Sequence, residues 1–348
     1  MNNSNHISIT TALGISNIYI GESIRNLNKY LPGKGRVIII TDSNVFEYYG
    51  EYMSEWPVII IKPGESHKTL ETLGYIYTKL IELNADRHSF IVGIGGGIVT
   101  DVTGMVAATW MRGVSFGFIS TTLLAQVDAS VGGKNGININ GYKNMAGTFL
   151  QPKWVLCDIQ SLSTLNNTEY LQGFSEIIKI AAILDKNLFK YIEENAGKAL
   201  ERDPEVLSHI IHRAVELKAG VVQRDEKESG ERRILNFGHS FAHVIEKLTH
   251  KTHGEAVAAG MVMAAGLSVN MGLISAEETE RLVNIIKKFG LPVSVPIPAE
   301  EMASTMVTDK KMENGTLSLV LLNKIGQSVI YPVPATELST MLKKIIQL

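Results

Sequence analysis

The 348-residue chain is long enough for two domains, or for one large domain with a sub-domain. Apolar residues make up 45% and charged residues 20%, an ordinary globular mix with ample core. The 33 basic and 35 acidic side chains leave a net charge of −2, which argues against nucleic acid or an anionic membrane as partner. Any basic cluster must be local, and local clusters suit small anionic ligands.

The first residues, Met1 to Thr10, are polar and lack the charged-then-apolar layout of a signal peptide. Arg36 to Thr41, Pro57 to Ile61, Phe90 to Ile94 and Ser115 to Ser120 are short, continuous apolar runs. Such runs suit strands buried on both faces of a parallel sheet. Between the second and third, Leu70, Leu73, Ile76, Tyr77, Leu80 and Leu83 recur at helical spacing. Strand, helix, strand at this pace predicts a doubly wound, Rossmann-like nucleotide-binding sheet. Cys157, the single cysteine, ends the apolar run Trp154-Val155-Leu156 and reads as core. It allows no intrachain disulfide and fits a reducing compartment, the cytoplasm.

After about Leu150 the texture turns helical: Glu169 to Leu184, Pro204 to Val222, Asn236 to Leu248, Ala256 to Asn270 and Ala276 to Phe289. Ala256 to Val269 is too short for a bilayer span, which needs about 20 apolar residues, and reads as a buried core helix. A β-like segment, Gly315 to Leu322, precedes a last helix near Pro334 to Ile346. The expected organisation is an α/β nucleotide-binding domain over 1–150 and a mainly α-helical domain over 151–348.

Four groups of residues carry chemistry. Gly93-Ile94-Gly95-Gly96-Gly97-Ile98-Val99-Thr100-Asp101 follows a strand and opens a helix. Glycines there allow a pyrophosphate close to the backbone, and the helix N-terminus supplies N–H donors. The plain alternative is a tight turn, and three consecutive glycines depart from G-x-G-x-x-G. A second turn, Pro63-Gly64-Glu65-Ser66-His67-Lys68, follows the second strand; strand ends on one side of a parallel sheet converge on one crevice. Thr121, Thr122, Asp128, Lys134, Lys143 and Asn144 lie in a stretch rich in Gly, read as a ligand-cradling loop.

The metal pattern is the sharpest. His239 and His243 share one helix face at i and i+4, and His253 follows ten residues later. Catalytic zinc sites use two His and one Glu with a position left open. Glu176, amid apolar neighbours on a predicted helix, is a candidate carboxylate, and Lys179 at i+3 is its alternative, structural partner. Spacing does not choose which two histidines bind. Lys218 and Arg232, in a helix end and charged loop before the histidine helix, are further candidates.

Together these motifs resemble 3-dehydroquinate synthases: GGGIVTD (Gly95 to Asp101), MRG (Met111 to Gly113), TTLLAQVDASVGGK (Thr121 to Lys134), KNMAG (Lys143 to Gly147), GFSEIIK (Gly173 to Lys179), LNFGHSFAH (Leu235 to His243), HGEAVAAGM (His253 to Met261) and DKK (Asp309 to Lys311). They stand in the family's order from about Pro63 to Gly326. The resemblance implies that Glu176, His239 and His253 bind a divalent metal, zinc or cobalt, and that His243 faces substrate. It implies NAD against Pro63, Gly64, Glu65, Ser66, His67, Lys68, Gly97, Ile98, Val99, Thr100, Asp101, Thr121, Thr122, Lys134, Lys143 and the run Ser161, Leu162, Ser163, Thr164. It places Asp128, Lys134, Asn144, Lys179, Lys218, Arg232, Asn236, His243 and one of Lys310 and Lys311 around a phosphorylated sugar acid. Arg112 resembles an arginine that reaches into a partner's site, which implies a homodimer.

The implied reaction converts 3-deoxy-D-arabino-heptulosonate 7-phosphate to 3-dehydroquinate and phosphate, with NAD recycled. Related cyclases whose substrates lack the carboxylate, and metal-dependent polyol dehydrogenases that release NADH, are the competing readings. Thr100 stands where the family has glycine; it is expected to be tolerated if its φ is negative.

Overall fold

A computed structural model describes residues 6–12, 14–307, 312–313 and 315–346. Its strands are β1 (His6–Thr11), β2 (Gly14–Ile20), β3 (Val37–Asp42), β4 (Val58–Ile61), β5 (Phe90–Gly95), β6 (Ser115–Ser120), β7 (Lys134–Ile139), β8 (Tyr142–Phe149), β9 (Trp154–Cys157), β10 (Met312–Glu313), β11 (Thr316–Lys324) and β12 (Gln327–Pro334). Its α-helices are α1 (Ser43–Tyr49), α2 (Leu70–Glu82), α3 (Gly97–Thr109), α4 (Asn167–Leu184), α5 (Lys186–Leu200), α6 (Pro204–Arg224), α7 (His239–Leu248), α8 (His253–Asn270), α9 (Ala276–Lys288), α10 (Ala299–Val307) and α11 (Ala335–Ile346). Contacts divide the chain into two units, Met1–Tyr170 with Leu207–Lys227, and Leu171–Val206 with Glu228–Leu348.

The first unit is built on a seven-stranded sheet of order β1-β2-β9-β6-β5-β3-β4. From β2 to β4 every pairing is parallel, and only β1 runs antiparallel, at the edge. Its central strands carry Ile38, Ile39, Ile40, Ile91, Val92, Ile94, Phe118 and Ile119, all buried. Continuous burial is what a sheet covered on both faces requires. Chain order reverses between β3 and β5: β4 lies to one side, and β6 and β9 to the other. Such a switch point opens a crevice at the carboxyl ends of the strands.

Two segments differ from the sequence expectation. Lys134 to Phe149 is not a flexible loop but an antiparallel hairpin, β7 with β8. Its turn is Asn140-Gly141, both at positive φ, the geometry a two-residue hairpin connection needs. Trp154 to Cys157 is a sheet strand as well as core, with Cys157 fully buried and its thiol pushed up to about 12 by burial.

In the second unit, α8 is buried along nearly its whole length, as a core helix must be. The three-stranded sheet β10-β11-β12 belongs to this unit. Stacked rings of Phe174 and Phe289, 4.1 Å apart, seat α4. Helices α5 and α10 and strand β12 went unread in the sequence, and α7 starts at His239 rather than Asn236, because 231–236 is a 3-10 turn. Among the described residues no helix is long and apolar enough to cross a membrane.

Candidate metal centre and nucleotide crevice

Glu176 projects from the middle of α4 and is fully buried. His239 is the first residue of α7 and His253 the first of α8. Two close backbone approaches bring them together. A Cβ on Gly254 would meet the Gln172 carbonyl oxygen at 2.7 Å, so the start of α8 lies directly against α4. A Cβ on Gly260 would meet the Gly238 carbonyl oxygen at 2.2 Å, so α8 and the start of α7 touch backbone to backbone. Glu255 closes the arrangement by accepting from the Thr252 N–H at 2.9 Å, which caps α8 at His253. The triplet His253-Gly254-Glu255 thus supplies a donor, a close contact and a cap.

The donor atoms of Glu176, His239 and His253 lie within 4.8 Å of one another, and this is the cluster that could hold a metal ion among the described residues. Glu176 Oε1 is 3.6 Å from His253 Nε2 and 3.8 Å from His239 Nε2. These separations are too long for hydrogen bonds and near the roughly 3.3 Å between ligands around a tetrahedral zinc ion. Neither Glu176 oxygen accepts a hydrogen bond of acceptable geometry, although the Lys179 ammonium lies against Oε2. A fully buried carboxylate so placed needs a cation. Burial raises the Glu176 carboxyl, but Lys179 and His253 outweigh it and hold it at about 2. Burial lowers the His253 imidazole, but Glu176 and Glu246 outweigh that and lift it to about 9. The donor set and its spacing fit a divalent ion.

Both candidate histidines are supported at their other nitrogen. His239 Nδ1 is 3.3 Å from the Phe237 carbonyl, and His253 Nδ1 is 3.0 Å from Glu246. His243 packs edge-on to His239 at 6.2 Å between ring centroids, outside the ligand group. Arg232 is buried, and Asn236 donates to Glu228 at 2.7 Å.

In the first unit four of the segments expected at NAD follow carboxyl ends of parallel strands: Pro63 to Lys68 after β4, Gly97 to Asp101 after β5, Thr121 and Thr122 after β6, Ser161 to Thr164 after β9; Lys134 and Lys143 lie instead on the hairpin. The strand ends are in register, Asp42 with Ile61, Gly95 with Ser120, Ser120 with Cys157. No side chain caps the N-terminus of α3. A Cβ on Gly95 would meet Val99 at 2.6 Å and one on Gly96 would meet Thr122 at 2.9 Å, so the turn is a tight cradle. The fit to a pyrophosphate is therefore good. Thr100 lies in α3 and is absent from the residues with positive φ, so its side chain costs the turn nothing.

Lys68 is buried, pairs with Asp101 and donates to Asn144 Oδ1 at 2.6 Å. The Asn144 N–H donates to Asn138 at 2.9 Å, which draws the hairpin to the same network. Lys134, Lys143 and Asn144 are exposed. Lys218 pairs with Asp128, and its ammonium also donates to the Asp128 carbonyl at 2.7 Å, inside a π-turn over 125–129. Arg112 is exposed on a turn where Met111 and Arg112 both have positive φ. Lys310 and Lys311 lie outside the described residues.

Burial raises the Asp101 carboxyl, Lys68 opposes this, and the net value is about 6. Folded Asp101 keeps its proton where an unfolded Asp, near 3.9, has lost it. Its contribution to stability is thus present below about pH 4 and is lost as pH rises through about 6. The unfolding free energy of the wild type, relative to Asp101→Asn, is expected to fall by about 3 kcal/mol between about pH 4 and 7 and then level off. Paired urea titrations measure it; a difference that is flat or rises would count against the assignment.

Three signals were missed in the sequence. Glu246 sits at i+7 from His239 and i+3 from His243, on the same helix face. Asp42 ends β3 at the switch point, the place where an acidic residue meets a ribose in dinucleotide-binding sheets. Glu255, within HGEAVAAGM, is a helix cap.

Comparison with known proteins decides the family. The 3-dehydroquinate synthase N-terminal profile matches residues 58–172, and the C-terminal profile matches residues 173–312. The chain belongs to the 3-dehydroquinate synthase family. A 3-dehydroquinate synthase of Pelobacter propionicus is 42% identical over 319 residues, 88% of this chain and 89% of that protein. One from Thermodesulfovibrio yellowstonii is 43% identical over 308 residues, 85% of this chain and 86% of that protein. Among solved structures, 2-epi-5-epi-valiolone synthase of Streptomyces hygroscopicus subsp. jinggangensis, with NAD+ and Zn2+ bound, superposes with a TM-score of 0.87 at 27% identity, covering 95% of this chain and 96% of that one. A 2-deoxy-scyllo-inosose synthase complexed with carbaglucose-6-phosphate, NAD+ and Co2+ gives 0.86 at 26% identity, covering 97% and 99%. An iron-containing alcohol dehydrogenase of Thermococcus thioreducens, at 0.67 and 16% identity, shares the fold.

Proposed function

We propose that the chain converts 3-deoxy-D-arabino-heptulosonate 7-phosphate into 3-dehydroquinate and inorganic phosphate, as a phosphate-eliminating carbon–oxygen lyase of the shikimate pathway. NAD and a divalent ion, zinc or cobalt, are its cofactors. The observation that carries this reading is the grouping of Glu176, His239 and His253 in a chain of this family. When bound, NAD supplies reversible hydride transfer and the ion polarises a substrate hydroxyl, so that oxidation, elimination, re-reduction and aldol closure sum to no net redox change.

The chain's own residues do the rest. Glu176, His239 and His253 hold the ion. The uncapped N–H groups of α3 face the pyrophosphate, and Pro63 to Lys68, Asp101, Thr121, Thr122, Lys143 and Ser161 to Thr164 line the cofactor, with Asp42 at a ribose. Substrate phosphate and carboxylate both need cations, which suits Lys134, Lys218, Arg232 and Lys310 or Lys311. Asp128 holds Lys218 in one position before substrate arrives. Asn144, Lys179, Asn236 and His243 make the remaining polar contacts. The departing phosphate serves as its own base, so no further protein base is invoked. The proposed division of labour is an NAD-binding N-terminal domain and a metal- and substrate-binding C-terminal domain. We further propose a cytoplasmic homodimer in which Arg112, exposed on its turn, enters the partner's site.

Phosphate release from the heptulosonate phosphate tests the function. It should occur without net gain at 340 nm, stop with chelator, and fail with a heptulose phosphate that lacks the carboxylate. Accumulating NADH with a polyol and no phosphate release would overturn the reading in favour of a polyol dehydrogenase.

A further inference from the structure

We infer that Glu246 is a positioning residue for the metal centre, acting through His253. This rests on the metal reading above. The Glu246 carboxylate lies 3.0 Å from His253 Nδ1, and its side chain is only 9% exposed. A carboxylate only accepts, so Nδ1 is the nitrogen that carries the proton. The other ring nitrogen, Nε2, is then the one that gives up its proton to ligate an ion. It is Nε2 that points at Glu176 Oε1, 3.6 Å away. One hydrogen bond therefore fixes both the tautomer and the ring direction that a metal ligand needs.

The two ligand histidines differ in this respect. His239 has a backbone carbonyl at its Nδ1, at 3.3 Å, and a carbonyl is neutral and cannot be mutated away. His253 has a side-chain carboxylate, shorter and charged, which makes the ring a stronger donor to a cation. Glu246 stands two turns along α7 from His239. Helix α7 thus offers one ligand directly and orients another, on α8, from the same face. A purely structural role for Glu246 would need it to bind the two helices together. The backbone approach at Gly238 and Gly260 and the cap at Thr252 already do that without it.

The test uses the full chain and two variants, Glu246→Gln and Glu246→Ala. Affinity for Zn2+ and Co2+ is measured by competition with a chromophoric chelator, alongside the visible spectrum of the Co2+ form. Thermal unfolding of the metal-free proteins and NAD binding serve as controls. Glu246→Gln keeps an acceptor oxygen and loses the charge; it should bind metal about tenfold more weakly. Glu246→Ala loses both and should fall by about 100-fold, with a shifted Co2+ spectrum. NAD affinity should not change. If Glu246→Ala fails to fold, Glu246→Gln decides. Wild-type metal affinity in the folded variants overturns the role of Glu246 alone. A wild-type chain that binds neither ion overturns the metal reading along with it, and a chain that binds metal but releases no phosphate leaves Glu246's role standing while overturning the proposed function.

Discussion

His239→Ala is expected to lose metal binding and turnover together while retaining NAD. The imidazole is one of three donors, and the remaining pair, Glu176 and His253, leaves an ion held by too few ligands. Lewis-acid assistance is worth several kcal/mol at the transition state. At about 1.4 kcal/mol per tenfold, turnover should fall by about 10³-fold or more. The segments proposed to contact NAD belong to the other unit, so cofactor affinity should match wild type. Equilibrium dialysis with Zn2+, phosphate release and NAD titration on one preparation give all three readouts. Full activity in a metal-free variant would sink the assignment of the centre.

Glu176→Leu is expected to be the more damaging to the fold. Glu176 is completely buried, and Lys179, its ion-pair partner one helical turn away, is only 2% exposed. Leucine fills the space but leaves the ammonium without a countercharge. Breaking one half of a buried pair costs about 3–5 kcal/mol. Metal-free Glu176→Leu should therefore unfold at clearly lower urea than metal-free His239→Ala, which leaves no stranded ammonium. Adding Lys179→Met should restore much of the loss, since an apolar pair of similar volume is tolerated in a core. Equal midpoints for the single variants would show that Lys179 finds another partner or water.

The same comparison separates what the amino-acid order says from what the fold adds. Strands β3, β5 and β6 were legible because a strand buried on both faces must be apolar throughout; β4 kept the same apolar run although it is an edge strand with Ile60 exposed. Strand β9 is just as apolar and wholly buried, and by the same criterion it was equally legible as a strand. The hairpin β7–β8 was read as loop because its glycines and polar residues masked the alternation. Its signal was Asn140-Gly141, the dipeptide that accepts positive φ at two successive positions. Helix α5 was legible in principle, with Asp185 as its cap and Leu188, Phe189, Ile192, Ala196 and Ala199 as its buried stripe.

At the centre, helical periodicity by itself put His239 and His243 on one face, as two equivalent donors beside a third at His253. Periodicity is a property of one helix, and a metal site is a property of several. Only packing decides that Glu176 of α4 meets the first residues of α7 and α8, because that depends on how closely three backbones approach. Glycines at 238, 254 and 260 set those distances, and their effect is invisible until the neighbouring chain is in place. The same holds for Glu246, which was missed in the sequence and gains a role only from His253 on another helix. The sequence alone therefore determined the chemistry available, the parallel sheet and the family; the tertiary structure decided which donors converge and what orients them, since convergence joins residues far apart in the chain.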